Sequence, residues 1–380
     1  MNSKERIKTV LKHKQPDRIP VGERDYASNS FIKELLGRES LFGGMKSYQA
    51  LWNGHWQAWI DSVTQDLPEL IDRLQWDIVV VWPNIGKDTP VEKLELIDEK
   101  KGLYRDSAGN MLQYTEEGDR ILIIEESGKS NRNRYLEELG EKETLPSEQI
   151  VRDALLRRYG KTHYIVGAYS PFSHPSLSYS SGVGLEKWVM QIYEDPDGWQ
   201  RNAMNPEIEK WMELTCRQAK KIGIDAYAFG MDFGHSGGPF ISPDRFEKLV
   251  YPKLKRDFGI AHKHGLDVFL HQCGDNRPLM DMIVDAGVDI IQSIQPEEHI
   301  EELKAKYGHR VTLMGGVTFK SLILGTPEDV KKETFRALDQ CAHDGGFILA
   351  SQHSLPHGLK PRNYLAMLEA KREWEKINLK

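Results

Sequence analysis

Eight short apolar runs, each followed by a longer stretch with helix signals, constrain this chain more than any other feature. The runs are Arg18–Glu23, Asp77–Trp82, His163–Tyr169, Asp225–Asp232, Asp267–Cys273, Asp289–Gln295, Val311–Val317 and Gly346–His353. Most are nearly continuous in β-branched and other apolar residues, the composition of strands covered on both faces. Between them, Ser242-Pro243 and Thr326-Pro327-Glu328-Asp329 place a capping hydroxyl before a proline at the first helical position. The carboxylates of the second fall in the first turn, where the helix dipole favours them. Gly265, Gly287 and Gly345-Gly346 stand where helices should stop before the next strand. Eight alternations of strand and helix with short connections specify a (β/α)₈ TIM barrel. A doubly wound sheet competes, but no glycine-rich phosphate loop follows the first run. A chain of 380 residues is long for one domain, yet α/β barrels reach this length. We therefore read residues 1–380 as a single barrel domain.

One segment breaks the rhythm. Residues 87–130 contain Glu92–Asp98 and Gly118–Ile124, both alternating, with the turn signal Asp106-Ser-Ala-Gly109 between them. This pattern predicts a β-hairpin insertion after the second strand. It would lengthen a loop at the barrel mouth, to cover it, to meet a partner, or simply to decorate the surface.

Composition excludes several classes. A net charge of -6, with acidic and basic residues interspersed, provides no electrostatic footprint for nucleic acid or an anionic membrane. Cys216, Cys273 and Cys341 are too few and too scattered for a disulfide framework. With no secretory leader in the polar opening Met1–Lys8, and no apolar stretch of membrane-spanning length, the expected location is the cytoplasm.

Barrel active sites form at the C-terminal ends of the strands. That rule nominates Glu23, Arg24 and Asp25 after the first run, Trp82 and Asn84 after the second, and Tyr169–Ser173 after the third. Asp232 and His235 follow the fourth. His271 and Cys273 close the fifth, Gln295 the sixth and His353 the eighth, while Gly315 and Gly316 lie within the seventh. Residues two apart on a strand share a face, so His271 and Cys273 point the same way. An imidazole and a thiol suit Zn²⁺, and His353 supplies the third donor that a catalytic zinc with one open position requires. The plainer reading is that the pair packs or hydrogen-bonds, since H-x-C is a weaker signal than a paired CxxC motif. Asp232, in Gly230-Met-Asp-Phe-Gly234, is placed to accept a proton, to orient a ligand histidine, to bind substrate, or merely to tie down the loop His235–Pro239. His353 is a catalytic candidate as well as a ligand candidate. Gly315-Gly316 leaves room for a bulky cofactor or for a bulge. Trp82 and Tyr169 would stack on a flat cofactor or substrate, or belong to the core.

Several blocks, in order along the chain, resemble the uroporphyrinogen decarboxylase superfamily. They are Lys4–Pro20, Gly167-Ala-Tyr-Ser-Pro-Phe172, Tyr193-Glu-Asp-Pro196, Ile241–Phe246 with Tyr251–Lys255, and Pro361–Met367. The resemblance implies a (β/α)₈ barrel and one of two chemistries. The decarboxylases of the superfamily grip a tetrapyrrole with an N-terminal arginine-rich motif and need no cofactor. The corresponding stretch here, Val21–Tyr26, offers Arg24 flanked by two acids. The second branch comprises methyltransferases that use zinc and exchange a methyl group with cobalamin carried by a separate corrinoid protein. Their H-x-C pair on the fifth strand matches His271 and Cys273. The thiol-methylating members place a cysteine after the last strand, where this chain has His353, which tilts the expectation towards an O-demethylase type or an otherwise divergent methyltransferase. The implied partners are a corrinoid protein and a small-molecule methyl donor or acceptor (a methoxylated aromatic, thiol, amine or folate), and a homodimer is compatible with the sequence. The rival readings are a cofactor-independent decarboxylase and a non-catalytic binding barrel.

Overall fold

A computed structural model describes residues 1–380 except 25–26, 82–91, 117–118, 126, 128–149, 168–182 and 380. In chain order the strands are β1 (Ile78–Val81), β2 (Glu95–Asp98), β3 (Leu103–Arg105), β4 (Met111–Thr115), β5 (Arg120–Glu125), β6 (Tyr164–Gly167), β7 (Ala226–Gly230), β8 (Gly234–His235), β9 (Gly238–Pro239), β10 (Asp267–His271), β11 (Ile290–Ile294), β12 (Thr312–Val317) and β13 (Phe347–Ser351). A parallel sheet runs β1-β6-β7-β10-β11-β12-β13. Residues 20–22 occupy the eighth position. Leu349 donates its N–H to Pro20 O at 3.0 Å, Gly22 donates to Leu349 O at 3.2 Å, and Asp77 donates to Val21 O at 2.6 Å. This stretch pairs with β13 through the single bridge Val21–Leu349 instead of a ladder. Pro20 has no N–H to contribute, which is why the first stave is short. The architecture is the expected TIM-barrel type.

Side-chain alternation sorts the barrel into two apolar layers. Ile78, Val80, Tyr164, Val166, Phe269, Ile290, Met314 and Ile348 fill the lumen, and Ile7 and Val10 of the first helix (Ser3–Val10) plug its floor. Their neighbours Val79, Val81, Ile165, Val268, Leu270, Ile291, Leu313 and Leu349 face outward into the helical layer. This parity decides what reaches the mouth, since His271 and Gln292 continue the lumen-facing sets of Phe269 and Ile290.

Aspartates pin the strand entrances. Asp77 accepts from Val21 N at 3.0 Å, Asp225 from Ile165 N at 3.0 Å, and Asp289 from Val268 N at 2.6 Å. Each lies immediately before a strand or at its edge and satisfies a backbone donor on the preceding stave, which would otherwise be left without a partner. Arg6 and Arg18 both close on the buried Asp77, tying the first helix to the barrel floor.

The insertion is larger than a hairpin. Residues 95–125 form a four-stranded antiparallel sheet, β2-β3-β4-β5. Tyr104 of β3 opposes Leu112 of β4, which opposes Ile123 of β5. The sheet leans on the helix Gly44–Trp52 through Tyr104, whose ring lies 6.1 Å from that of Trp52. Among the described residues, no helix is long and apolar enough to cross a membrane.

Candidate metal centre

β10 delivers the first donor and a glycine delivers the second. Lumen parity points His271 into the mouth, and Cys273 follows two residues on. The chain then turns at Gly274, where φ is +90°. A Cβ at Gly274 would lie 2.2 Å from the carbonyl carbon of Gly234, so only glycine lets this loop pass against the loop after β7. The third donor, His353, follows β13.

The structure brings these three residues together. One ligand atom from each of His271, Cys273 and His353 lies within 4.8 Å of the others. Cys273 Sγ is 3.6 Å from His271 Nε2. A tetrahedral zinc with Zn–N and Zn–S bonds of about 2.0 and 2.3 Å sets its nitrogen and sulfur ligands roughly 3.6 Å apart. This pair therefore stands at ligand spacing already, and His353 offers a ring nitrogen within 4.8 Å of both. The rings of His271 and His353 meet edge-on, with centroids 4.8 Å apart and an 89° angle between planes. A soft sulfur and two borderline nitrogens on one concave rim fit zinc.

Several residues support the donors. Asp232 Oδ1 accepts the backbone N–H of Cys273 at 3.0 Å and lies 3.9 Å from His271 Nε2. Burial pushes the Cys273 thiol up to about 12, the negative charge of Asp232 adds to the shift, and Ser293 and Arg24 oppose it. Without a cation this sulfur holds its proton, and a bound divalent ion would favour the thiolate. Arg24 reaches the same rim, with Nη2 3.3 Å from the position a Cβ on Gly230 would take.

Other residues nominated from sequence are placed elsewhere. Glu23 is a buried clamp. Its carboxylate accepts from Ser351 N at 2.9 Å, Ser351 Oγ at 2.7 Å and Tyr364 Oη at 2.9 Å, locking the first stave to the last strand. His235 is exposed on the β8–β9 turn, where its Nδ1 accepts from Gly237 N at 3.0 Å. The clearance at Gly315 and Gly316 is used inside the fold. A Cβ on Gly316 would sit 3.0 Å from Ala337 Cβ, and one on Gly315 would sit 3.2 Å from Ile294 Cβ. Both have positive φ, +153° and +110°, so the backbone itself calls for glycine there. Trp82, Tyr169, Asp25 and Asn84 lie outside the described residues.

Gln292 and Ser293, which contact the triad, were not nominated from sequence. Gln292 was readable in principle as a polar residue at a lumen-facing position of an apolar strand. Ser293 carries no comparable signal.

Comparison with known proteins agrees with this architecture. The family model for uroporphyrinogen decarboxylase (URO-D) matches residues 136–374, which contain β6–β13 and all three donors. A methyltransferase from Methanosarcina mazei superposes with a TM-score of 0.65 at 16% identity, covering 98% of this chain and 99% of that one. A B12-independent methionine synthase from Shewanella sp. W3-18-1 aligns over 85% of this chain and 90% of its own at 14% identity, but its TM-score of 0.42 is too low to extend the comparison. No curated protein sequence matches the chain significantly. The model match spans more than half of the chain, on a barrel of the same type: this protein belongs to the uroporphyrinogen decarboxylase family.

Proposed function

We propose that this protein is a zinc-dependent methyltransferase. It moves a methyl group between a corrinoid carried by a separate protein and a small molecule: a methoxylated aromatic, a thiol, an amine or a folate. The observation that carries this reading is the meeting of His271, Cys273 and His353 within 4.8 Å at the mouth of the barrel. Family membership and a barrel shared with a methyltransferase support it.

His271, Cys273 and His353 would hold the ion, leaving one position open for substrate. Zinc there supplies Lewis acidity, which lowers the pKa of a bound thiol or polarises an oxygen bearing the methyl group. Asp232 handles the proton. Its side chain is 35% exposed and stands beside both His271 and Cys273, so it can take up or return a proton while in contact with solvent. Arg24, on the same rim, adds a positive charge that stabilises an anionic group at the mouth. The three cysteines are free of disulfides, in keeping with a cytoplasmic setting.

The test presents the zinc-loaded protein with a reduced corrinoid and a panel of methoxylated aromatics, methylamines, methyl-thioethers and methylfolate. Methyl–cobalt formation is followed by visible absorbance. One donor class should methylate the corrinoid, and zinc removal or Cys273→Ala should abolish the reaction. Methylation that is indifferent to both, or release of carbon dioxide from uroporphyrinogen by metal-free protein, would overturn the proposal and favour a decarboxylase.

A further inference from the structure

Neighbouring residues on a strand face opposite sides, yet Gln292 and Ser293 both touch the triad. A bulge in β11 makes this possible. Pairing with β12 shifts between Gln292 and Ile294, and Ser293 adopts φ +78°, a left-handed conformation that costs a non-glycine residue about 1–2 kcal/mol. Strained, bulged backbone of this kind concentrates where a fold re-aims side chains at a site.

The bulge aims two side chains at once. Gln292 keeps lumen parity, and its amide spans two ligand-bearing segments. Nε2 donates to the backbone carbonyl of His353 at 2.8 Å. That carbonyl can only accept, so the amide orientation is fixed and Oε1 faces His271 Nδ1 at 2.6 Å. An amide oxygen is an acceptor, which places the imidazole proton on Nδ1 and turns the Nε2 lone pair towards Cys273 Sγ. Ser293 Oγ makes the parallel connection, donating to Gln352 O at 2.8 Å and lying 3.7 Å from Cys273 Sγ. Two successive residues of β11 thus link His271 and Cys273 to the backbone that carries His353.

We infer that Gln292 is the positioning residue of this centre. It fixes His271 in the tautomer with Nε2 as ligand and tethers the backbone of His353, so the donor set is arranged before an ion arrives. The role in metal affinity rests on the zinc reading above, whereas the tautomer role does not. Outer partners of this kind alter metal affinity by about 10–100-fold.

The first experiment needs no metal. Long-range ¹H–¹⁵N spectra of histidine-labelled, metal-free wild-type protein should show His271 protonated on Nδ1, and a proton on Nε2 would overturn the inference. Gln292→Met keeps the length and loses both hydrogen bonds. It should release the tautomer preference, weaken Co(II) binding about 10–100-fold and change the Co(II) absorption spectrum. Gln292→Glu keeps an acceptor for His271 but offers the His353 carbonyl no donor, so it should restore the tautomer and only part of the affinity. If Gln292→Met binds Co(II) as tightly as wild type with an unchanged spectrum, the inference fails and the zinc reading stands. If wild-type protein binds neither Co(II) nor Zn(II), the zinc reading fails, and the tautomer spectra alone decide the role of Gln292.

Discussion

Removing the Glu23 carboxylate should cost this fold more than any other single change at the barrel mouth. The side chain is 1% exposed and accepts hydrogen bonds from Ser351 N, Ser351 Oγ and Tyr364 Oη. Glu23→Ala leaves the buried Ser351 N–H and the Tyr364 hydroxyl without this acceptor. Each orphaned donor costs about 1–3 kcal/mol. Ser351 Oγ keeps a second contact, Ser354 O at 3.0 Å, and contributes little to the loss. The expected destabilisation is about 4 kcal/mol, with an unchanged denaturant slope. Glu23→Gln retains one acceptor oxygen and should lose about 2 kcal/mol, the difference between charge-assisted and neutral hydrogen bonds. Urea denaturation followed by fluorescence measures both variants. A loss below about 1 kcal/mol for Glu23→Ala would refute the clamp assignment. So would equal losses for the two variants, since only Glu23→Gln retains an acceptor oxygen.

Asp232→Asn should leave the fold intact and lower the Cys273 thiol of metal-free protein from about 12, because a negative charge that disfavours the thiolate is gone. Thiolate ultraviolet absorbance against pH measures this, and an unchanged or higher value contradicts the assigned electrostatics. Gly316→Ala puts a methyl 3.0 Å from the helix-anchored Ala337 Cβ at φ +110°, and should cost about 1–3 kcal/mol in urea denaturation. No loss would mean that the clearance is spare room. His262 is raised above its ordinary value chiefly by its hydrogen bond to Asp289, 2.7 Å away. The stabilisation is therefore fully present below the unfolded imidazole pKa of about 6.5 and lost as pH rises through the raised folded value. His262→Gln should lose up to about 1 kcal/mol at acidic pH, the pair being partly exposed, and little at alkaline pH. A larger loss at alkaline pH would reverse the sign.

Buried parallel strands made the fold legible in the sequence. Their runs are nearly continuous in apolar residues, and Thr326 and Gly287 punctuate the helices as read, Thr326 capping Asp329 N and Gly287 at φ +102°. His271 and Cys273 were legible for the same reason, since strand parity carries them to one rim. The insertion was only half legible. Leu103–Arg105 and Met111–Thr115 are short and partly exposed, so alternation did not reveal β3 and β4. The support for the site was the hardest to read. A bulge at Ser293 has no glycine to announce it. The role of Gln292 depends on a carbonyl 61 positions away, which no local pattern encodes. Sequence spacing alone does not show whether helix packing or a cofactor uses the room at Gly315-Gly316.

Zinc K-edge X-ray absorption on protein purified without chelators reads the ligand set of His271, Cys273 and His353 itself. About one zinc per chain is expected, with one sulfur at ~2.3 Å, two imidazole nitrogens at ~2.0 Å and one further light atom. The sulfur shell should vanish in Cys273→Ala. Protein with no bound metal, or with a zinc shell of nitrogen and oxygen alone, would contradict it.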